Sequence, residues 1–184
     1  SISHKYDDGG SFKELYPIVK AEGWLKSNQN WYYQKQGQLV QKDWVYDKGT
    51  WYFMNDKGVM FNQTWLYQGG NWYAFKSSGA MIASDWLYDQ GKWYYLSTSG
   101  AMKASTWVYD QGKWYYLSTS GAMKASAWIY DKGEWYYVSS SGAMIANDWA
   151  KDNGKWYYLD SSGKMLRNTY TPDGYYVGNS GAWQ

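Results

Sequence analysis

The sequence predicts an all-β fold, a solenoid (superhelix) of stacked two-stranded β-hairpins built from repeats of about 21 residues. Three observations carry this expectation. Tryptophan recurs at Trp24, Trp44, Trp65, Trp86, Trp107, Trp128 and Trp149, with spacings of 20 and then 21 residues. A second tryptophan stands seven positions after each, at Trp31, Trp51, Trp72, Trp93, Trp114, Trp135 and Trp156, and a tyrosine follows it directly, from Tyr32 to Tyr157. Between the two tryptophans of most units lies a dipeptide ending in glycine, such as Gln111-Gly112 or Lys48-Gly49. Glycine there supplies the positive φ of a tight hairpin turn.

Residues 1–22 precede the clear repeat and are read as an N-terminal cap, a degenerate repeat or a linker. Tyr6-Asp7-Asp8-Gly9-Gly10 echoes the hairpin pattern with His4 in the opening position, whereas Phe12 to Lys20 could equally form a short capping segment. Pro17 argues against a long helix there. Residues 23–169 hold seven repeats. With the opening tryptophan as position 0, the unit starting at Trp107 centres its turn on Gln111-Gly112, so Tyr109 pairs with Trp114 and Trp107 with Tyr116. Alternation places 0, +2, +7 and +9 on one face and +1, +8 and +10 on the other. A lone hairpin is marginal in water, and these are apolar on both faces. The tryptophan face of one should therefore stack on the +8 face of the next. Connectors such as Ser118-Thr119-Ser120-Gly121-Ala122 re-aim the chain, and glycine recurs at +14, or at +13 (Gly37) in the first unit. Methionine follows at Met60, Met81, Met102, Met123, Met144 and Met165, with Leu39 in the first unit. Residues 170–184 form a shortened eighth unit, in which Tyr175-Tyr176-Val177 and Gly181-Ala182-Trp183 match Tyr115-Tyr116-Leu117 and Gly121-Ala122-Met123. Terminal repeats are often atypical because they cap an exposed face.

Composition narrows the function. The chain has 184 residues, with 18 basic against 16 acidic side chains, too even for a dedicated nucleic-acid binder. It has no cysteine, which removes disulfides and thiolate chemistry. No apolar run is long enough to span a membrane. No leader pattern is visible at Ser1, so any signal peptide is expected to have been removed. His4 is the only histidine, which makes a Ser-His-Asp arrangement implausible. Asp47, Asp89, Asp110, Asp131 and Asp152 recur where they precede hairpin turns, so a turn role explains them better than paired-carboxylate hydrolysis. No metal-ligand cluster or phosphate loop is present. The expectation is a protein that is not an enzyme and needs no cofactor. Lys92, Lys113 and Lys155, at +6, read as a solvated face that could also meet a phosphate.

Aromatic residues make up 22% of the chain. Aliphatic residues fill a core more easily, so two tryptophans and a tyrosine per unit exceed what packing needs. Rigid rings arranged as walls form cages that attract quaternary ammonium groups by cation–π interaction. A sugar stacking its apolar face is the alternative ligand for such rings. Units such as Trp107 to Ala127 (WVYDQGKWYYLSTSGAMKASA) resemble the choline-binding, or cell-wall-binding, repeats of Gram-positive surface proteins and lysins. The resemblance is close over residues 24–169 and loose over 170–184.

That resemblance implies a left-handed superhelix, and choline or phosphorylcholine of wall teichoic and lipoteichoic acids as the ligand. It implies a site between consecutive hairpins: two tryptophans from one, an aromatic from the next and often a methionine. The face argument selects the tyrosine at +8, which never varies, over +9, which is Phe53 in one unit and Ala74 in another. The expected choline sites are then Trp24, Trp31 and Tyr52; Trp44, Trp51 and Tyr73; Trp65, Trp72 and Tyr94; Trp86, Trp93 and Tyr115; Trp107, Trp114 and Tyr136; Trp128, Trp135 and Tyr157; and Trp149, Trp156 and Tyr175. Leu39 is expected to weaken the methionine wall near the first unit, and the shortened eighth unit to leave the last site the least complete. The module would act as an anchor or a stand-alone surface protein such as an adhesin, held non-covalently on the wall outside the cell. Host proteins would be a further class of partner, and nucleic acid none. A glucan-like glycan-binding repeat is the runner-up, although such repeats typically lack two tryptophans seven apart in every unit.

Overall fold

A computed structural model describes residues 22–184, so residues 1–21, most of the expected N-terminal cap or linker, lie outside the described residues. Every named element is a strand, and the chain divides into two compact units, the first ending at Ala83 and the second running from Ser84 to Gln184. The first unit holds β1 (Gly23–Ser27), β2 (Asn30–Lys35), β3 (Gln38–Leu39), β4 (Asp43–Asp47), β5 (Thr50–Met54), β6 (Thr64–Gln68) and β7 (Asn71–Phe75). The second holds β8 (Asp85–Asp89), β9 (Lys92–Leu96), β10 (Thr106–Asp110), β11 (Lys113–Leu117), β12 (Ala127–Asp131) and β13 (Glu134–Val138). It continues with β14 (Asp148–Asp152), β15 (Lys155–Leu159), β16 (Thr169–Tyr170) and β17 (Tyr176–Val177).

Each unit is a solenoid of antiparallel hairpins in the expected register. In β10–β11, Trp107 faces Tyr116, Val108 faces Tyr115 and Tyr109 faces Trp114. The turns have positive φ at both central residues, 49° at Gln111 and 82° at Gly112, the geometry that matches the right-handed twist of the flanking strands. The first hairpin turns through Asn28 (φ 48°) and Gln29 (φ 70°) without a glycine.

The connectors do more than re-aim the chain. The Ser118 N–H donates to the Ala122 carbonyl at 2.8 Å, the Gly121 N–H donates to Ser118 at 2.9 Å, and Leu117 bridges Met123. The connector thus returns beside its own hairpin as a one-residue third strand. In the first hairpin the same place is taken by β3, which pairs with β2 through a Gln36-Gly37 turn.

Position +10 forms the driest line of the core: Met54, Leu96, Leu117, Val138, Leu159 and Val177 are fully buried. Position +1 joins it through Val45, Leu66, Val108, Ile129 and Ala150. Each such aliphatic side chain contributes about 1.5–3 kcal/mol when fully removed from water. The clusters cross from one hairpin to the next, since Val45, Met54 and Met60 pack against Trp24, Tyr33 and Val40 of the preceding hairpin. Stacking covers only part of the tryptophan face. The 0 and +9 pair, away from the turn, is the more covered, with its tryptophans half-buried. The +2 and +7 pair beside the turn stays open, with Tyr109 58% and Trp114 43% exposed. The open end carries the site.

Candidate functional site

Strand pairing sets the first two walls. Positions 0 and +7 share a face on neighbouring strands, and their indoles stand edge to face: 6.3 Å and 90° for Trp24–Trp31, 6.2 Å and 89° for Trp44–Trp51, 6.4 Å and 90° for Trp128–Trp135. Trp65 and Trp72 repeat this inside the first unit at 6.5 Å and 85°. The tyrosine at +8 of the next hairpin supplies a third wall. Trp24–Tyr52 lies at 4.8 Å, Trp44–Tyr73 at 4.9 Å, Trp86–Tyr115 at 5.2 Å and Trp107–Tyr136 at 5.4 Å. Trp128–Tyr157 lies at 5.0 Å and Trp149–Tyr175 at 6.0 Å. Of the remaining expected trio, Trp65 and Trp72 belong to the first unit and Tyr94 to the second.

Position +9 touches the same opening tryptophan from the core side. Tyr116 lies 5.0 Å from Trp107 and Tyr137 lies 4.9 Å from Trp128. Tyr137 and Tyr158 are buried, and it is Tyr115, Tyr157 and Tyr175 that line the open cavities. Burial raises the hydroxyl pKa of Tyr95 and Tyr137 above the usual tyrosine value, with a smaller push from nearby aspartates.

The fourth wall comes from the next unit's connector. The backbone N–H of Met60 donates to the carbonyl of Trp31, and Met81 does the same to Trp51, both at 2.9 Å. Met123 to Trp93, Met144 to Trp114 and Met165 to Trp135 repeat the bond at 2.8 Å. This backbone bond ties successive hairpins and brings methionine beside the cage. Room for the thioether depends on a glycine one unit on. A Cβ at Gly142 would lie 2.5 Å from the Met123 sulfur, and Gly163 and Gly181 stand in the same relation to Met144 and Met165. Leu39 therefore does not thin the Trp24 cage, whose methionine is Met60. Leu39 instead packs beside Gly58, as a methionine does in later units. Met102, of the second unit, packs beside Gly121.

The eighth unit completes its cage despite being short. Trp183 takes the methionine's place, its backbone N–H donating to the Trp156 carbonyl at 2.8 Å and its ring standing 5.7 Å from Tyr175. Trp149, Trp156, Tyr175 and Trp183 line a cavity of about 620 Å³ with Asp148 and Asp173, and the Trp86 cage opens as one of about 500 Å³. Trp183 was visible in the Gly-Ala-Trp match to Gly-Ala-Met, although spacing alone did not show that this position faces the preceding hairpin.

A second group escapes the turn explanation of the carboxylates. The indole N–H of Trp24 donates to Asp47 at 3.0 Å, Trp86 to Asp110 at 3.0 Å, Trp107 to Asp131 at 3.3 Å, Trp128 to Asp152 at 3.2 Å and Trp149 to Asp173 at 2.9 Å. Each aspartate comes from the next hairpin, 23 residues on from Trp24 and 24 residues on in the other four. Asp173 is held below the usual carboxylate range by its bonds from the Thr171 hydroxyl and the Trp149 indole. The outer faces of the +7 tryptophans are covered at +2. Tyrosine does this in five units, as Tyr109 does at 4.9 Å from Trp114, whereas Lys26 lies over Trp31 at 5.5 Å and Lys151 over Trp156 at 5.6 Å. Lys92, Lys113 and Lys155 are exposed, and no cluster of three or more metal-ligating side chains occurs among the described residues.

Comparison with known proteins follows the same repeat. A family model described as "Putative cell wall binding repeat" matches residues 22–33, 42–60, 63–81, 84–102, 105–123 and 126–144, and one described as "Choline-binding repeat" matches 143–183. No curated protein sequence matches the chain. Among solved structures, choline binding protein F from Streptococcus pneumoniae is 40% identical with a TM-score of 0.71, over 89% of this chain and 57% of that one. CbpJ from Streptococcus pneumoniae TIGR4 is 38% identical with a TM-score of 0.73, over 89% and 58%. The choline-binding domain of CbpL from Streptococcus pneumoniae is 33% identical with a TM-score of 0.69, over 89% of this chain and 97% of that domain. The chain thus spans little more than half the length of the first two.

Proposed function

The chain belongs to the choline-binding repeat family, and from that premise we propose that it is a non-catalytic module that holds choline in its inter-hairpin cages. Through them it attaches to phosphorylcholine on teichoic and lipoteichoic acids. The binding residues are the 0 and +7 tryptophans, the +8 tyrosine of the next repeat and that repeat's methionine, over seven repeats in 23–169 and a capping repeat in 170–184. Residence is extracellular, non-covalent, on the wall.

The observation that carries this reading is the perpendicular pair of indoles closed by a third ring, as in Trp128, Trp135 and Tyr157. A trimethylammonium group is compact and can touch several ring faces at once, each attracting it through the ring quadrupole. A sugar wants one flat platform, which walls at 90° do not offer. That geometry favours choline over a glucan-like glycan.

Three walls at about 1 kcal/mol each give roughly 3–4 kcal/mol, about millimolar affinity per site. Several sites on one polymer raise avidity by about two to four orders of magnitude. Calorimetry with free choline should show multiple weak sites, and millimolar choline should release the protein from a choline-bearing resin. Release by glucan oligosaccharides and not by choline would overturn the proposal.

A further inference from the structure

We infer that the aspartate reaching each opening tryptophan from the following hairpin is a positioning and specificity-determining residue, which selects a quaternary cation over a neutral molecule of the same shape. This rests on the choline-binding reading above. The bond recurs at Trp24, Trp86, Trp107, Trp128 and Trp149 between 2.9 and 3.3 Å. An indole N–H needs one acceptor, and a neutral asparagine or glutamine could serve. A carboxylate is used at all five.

The carboxylates stand at the cages themselves. Asp110 lines the cavity of Trp86, Trp93 and Tyr115, and Asp173 that of Trp149, Trp156 and Tyr175. A fixed negative charge at the ring's N–H edge adds to the attraction its electron-rich face exerts on a cation and does nothing for a neutral guest. At a half-open site, one carboxylate about 6 Å from the bound charge changes affinity by about three- to tenfold. The chain carries its own contrast, because 24 residues after Trp44 stands the neutral Gln68. The cage of Trp44, Trp51 and Tyr73 has the same walls without that carboxylate.

The test uses the full chain with Asp47, Asp110, Asp131, Asp152 and Asp173 all changed to asparagine, which keeps an oxygen acceptor for each indole. Choline affinity is measured by calorimetry in low and high sodium chloride, and ring packing by near-ultraviolet circular dichroism. The expected result is an average choline affinity about three- to tenfold weaker, a flatter salt dependence and an unchanged tryptophan signature. A purely structural role would leave the salt dependence alone, so wild-type affinity and salt dependence in the asparagine variant overturn the inference. If that variant loses its tryptophan signature, Gln68→Asp decides. Tighter binding with steeper salt dependence supports the inference, and no gain overturns it. A wild-type protein that binds no choline overturns the proposed function as well, whereas one that binds it identically with and without the carboxylates overturns this inference alone.

Discussion

Trp107 and Trp114 belong to one cage and carry different loads. Trp107 is half-buried against Tyr116 and Tyr136, whereas Trp114 is 43% exposed and backed by the exposed Tyr109. Sequence pattern treats both as wall and core together; the stacked structure separates them. Trp114→Ala should remove one choline site and cost about 2 kcal/mol of stability, because close to half of the side chain already faces water in the folded state. Trp107→Ala should cost about 3 kcal/mol, nearer the value for a core aromatic. Paired calorimetry and urea unfolding measure both, and equal stability losses would contradict this division. The tyrosines divide in the same way. Tyr136→Ala should empty the cage, and Tyr137→Ala should loosen the core. Tyr95 and Tyr137 also give a pH dependence. Their folded pKa is raised above the unfolded value near 10. The folded state therefore holds these protons more tightly, and their stabilisation is complete below about pH 10 and lost as pH rises through the folded pKa. The urea midpoint should fall above about pH 10, and Tyr137→Phe should shrink that fall.

At the scale of the hairpin, the turns decide how well each element is specified. Six of the seven repeats place glycine second in the turn, where φ is near 80°, and the first places Gln29 there at φ 70°. A side chain in the left-handed region costs about 1 kcal/mol or more. Gln29→Gly should therefore stabilise the first hairpin by about 1 kcal/mol, read as slower amide exchange over β1 and β2. Gly142→Ala should act oppositely. It meets both a φ of 88° and the Met123 sulfur, so it should destabilise by about 2 kcal/mol and push Met123 out of the Trp86 cage. Register was legible in the sequence because two local facts determine it, a glycine turn and period-two alternation around Trp107 to Leu117. The pairing of the 0 and +7 indoles was legible for the same reason, and alternation put the +8 tyrosine on the opposite face, the one turned to the preceding hairpin. The Met144 bond to Trp114, the Asp131 bond to Trp107 and the place of Trp183 depend on how far one hairpin is displaced from the next. No pattern inside a repeat encodes that displacement. The recurring offset of 23 or 24 residues between tryptophan and aspartate was present, but it read as turn chemistry.

Across the whole molecule, ligand and fold should be coupled, because each cage exists only where two hairpins stack. Choline bound to the stacked state adds RT ln(1 + [L]/Kd) per site, about 1.4 kcal/mol at tenfold Kd. The first unit closes two cages from its own described residues, opened by Trp24 and Trp44. The second closes four, opened by Trp86, Trp107, Trp128 and Trp149. At that concentration the second unit should gain about 6 kcal/mol and the first about 3, against a typical domain stability of about 5–15 kcal/mol. The melting midpoint should therefore climb steeply between about 1 and 100 mM choline, given millimolar sites. Sodium chloride at equal ionic strength should not reproduce the climb, since salt does not fill a cage. Hydrogen exchange should show greater added protection in β8–β15 than in β1–β7. The protection should extend to Tyr175 and Trp183, because the shortened last repeat still closes four walls around its cavity. A midpoint that stays flat to 100 mM choline in folded protein would reject the coupling. Added protection that stops before Tyr170 would show that the last cage does not take the ligand.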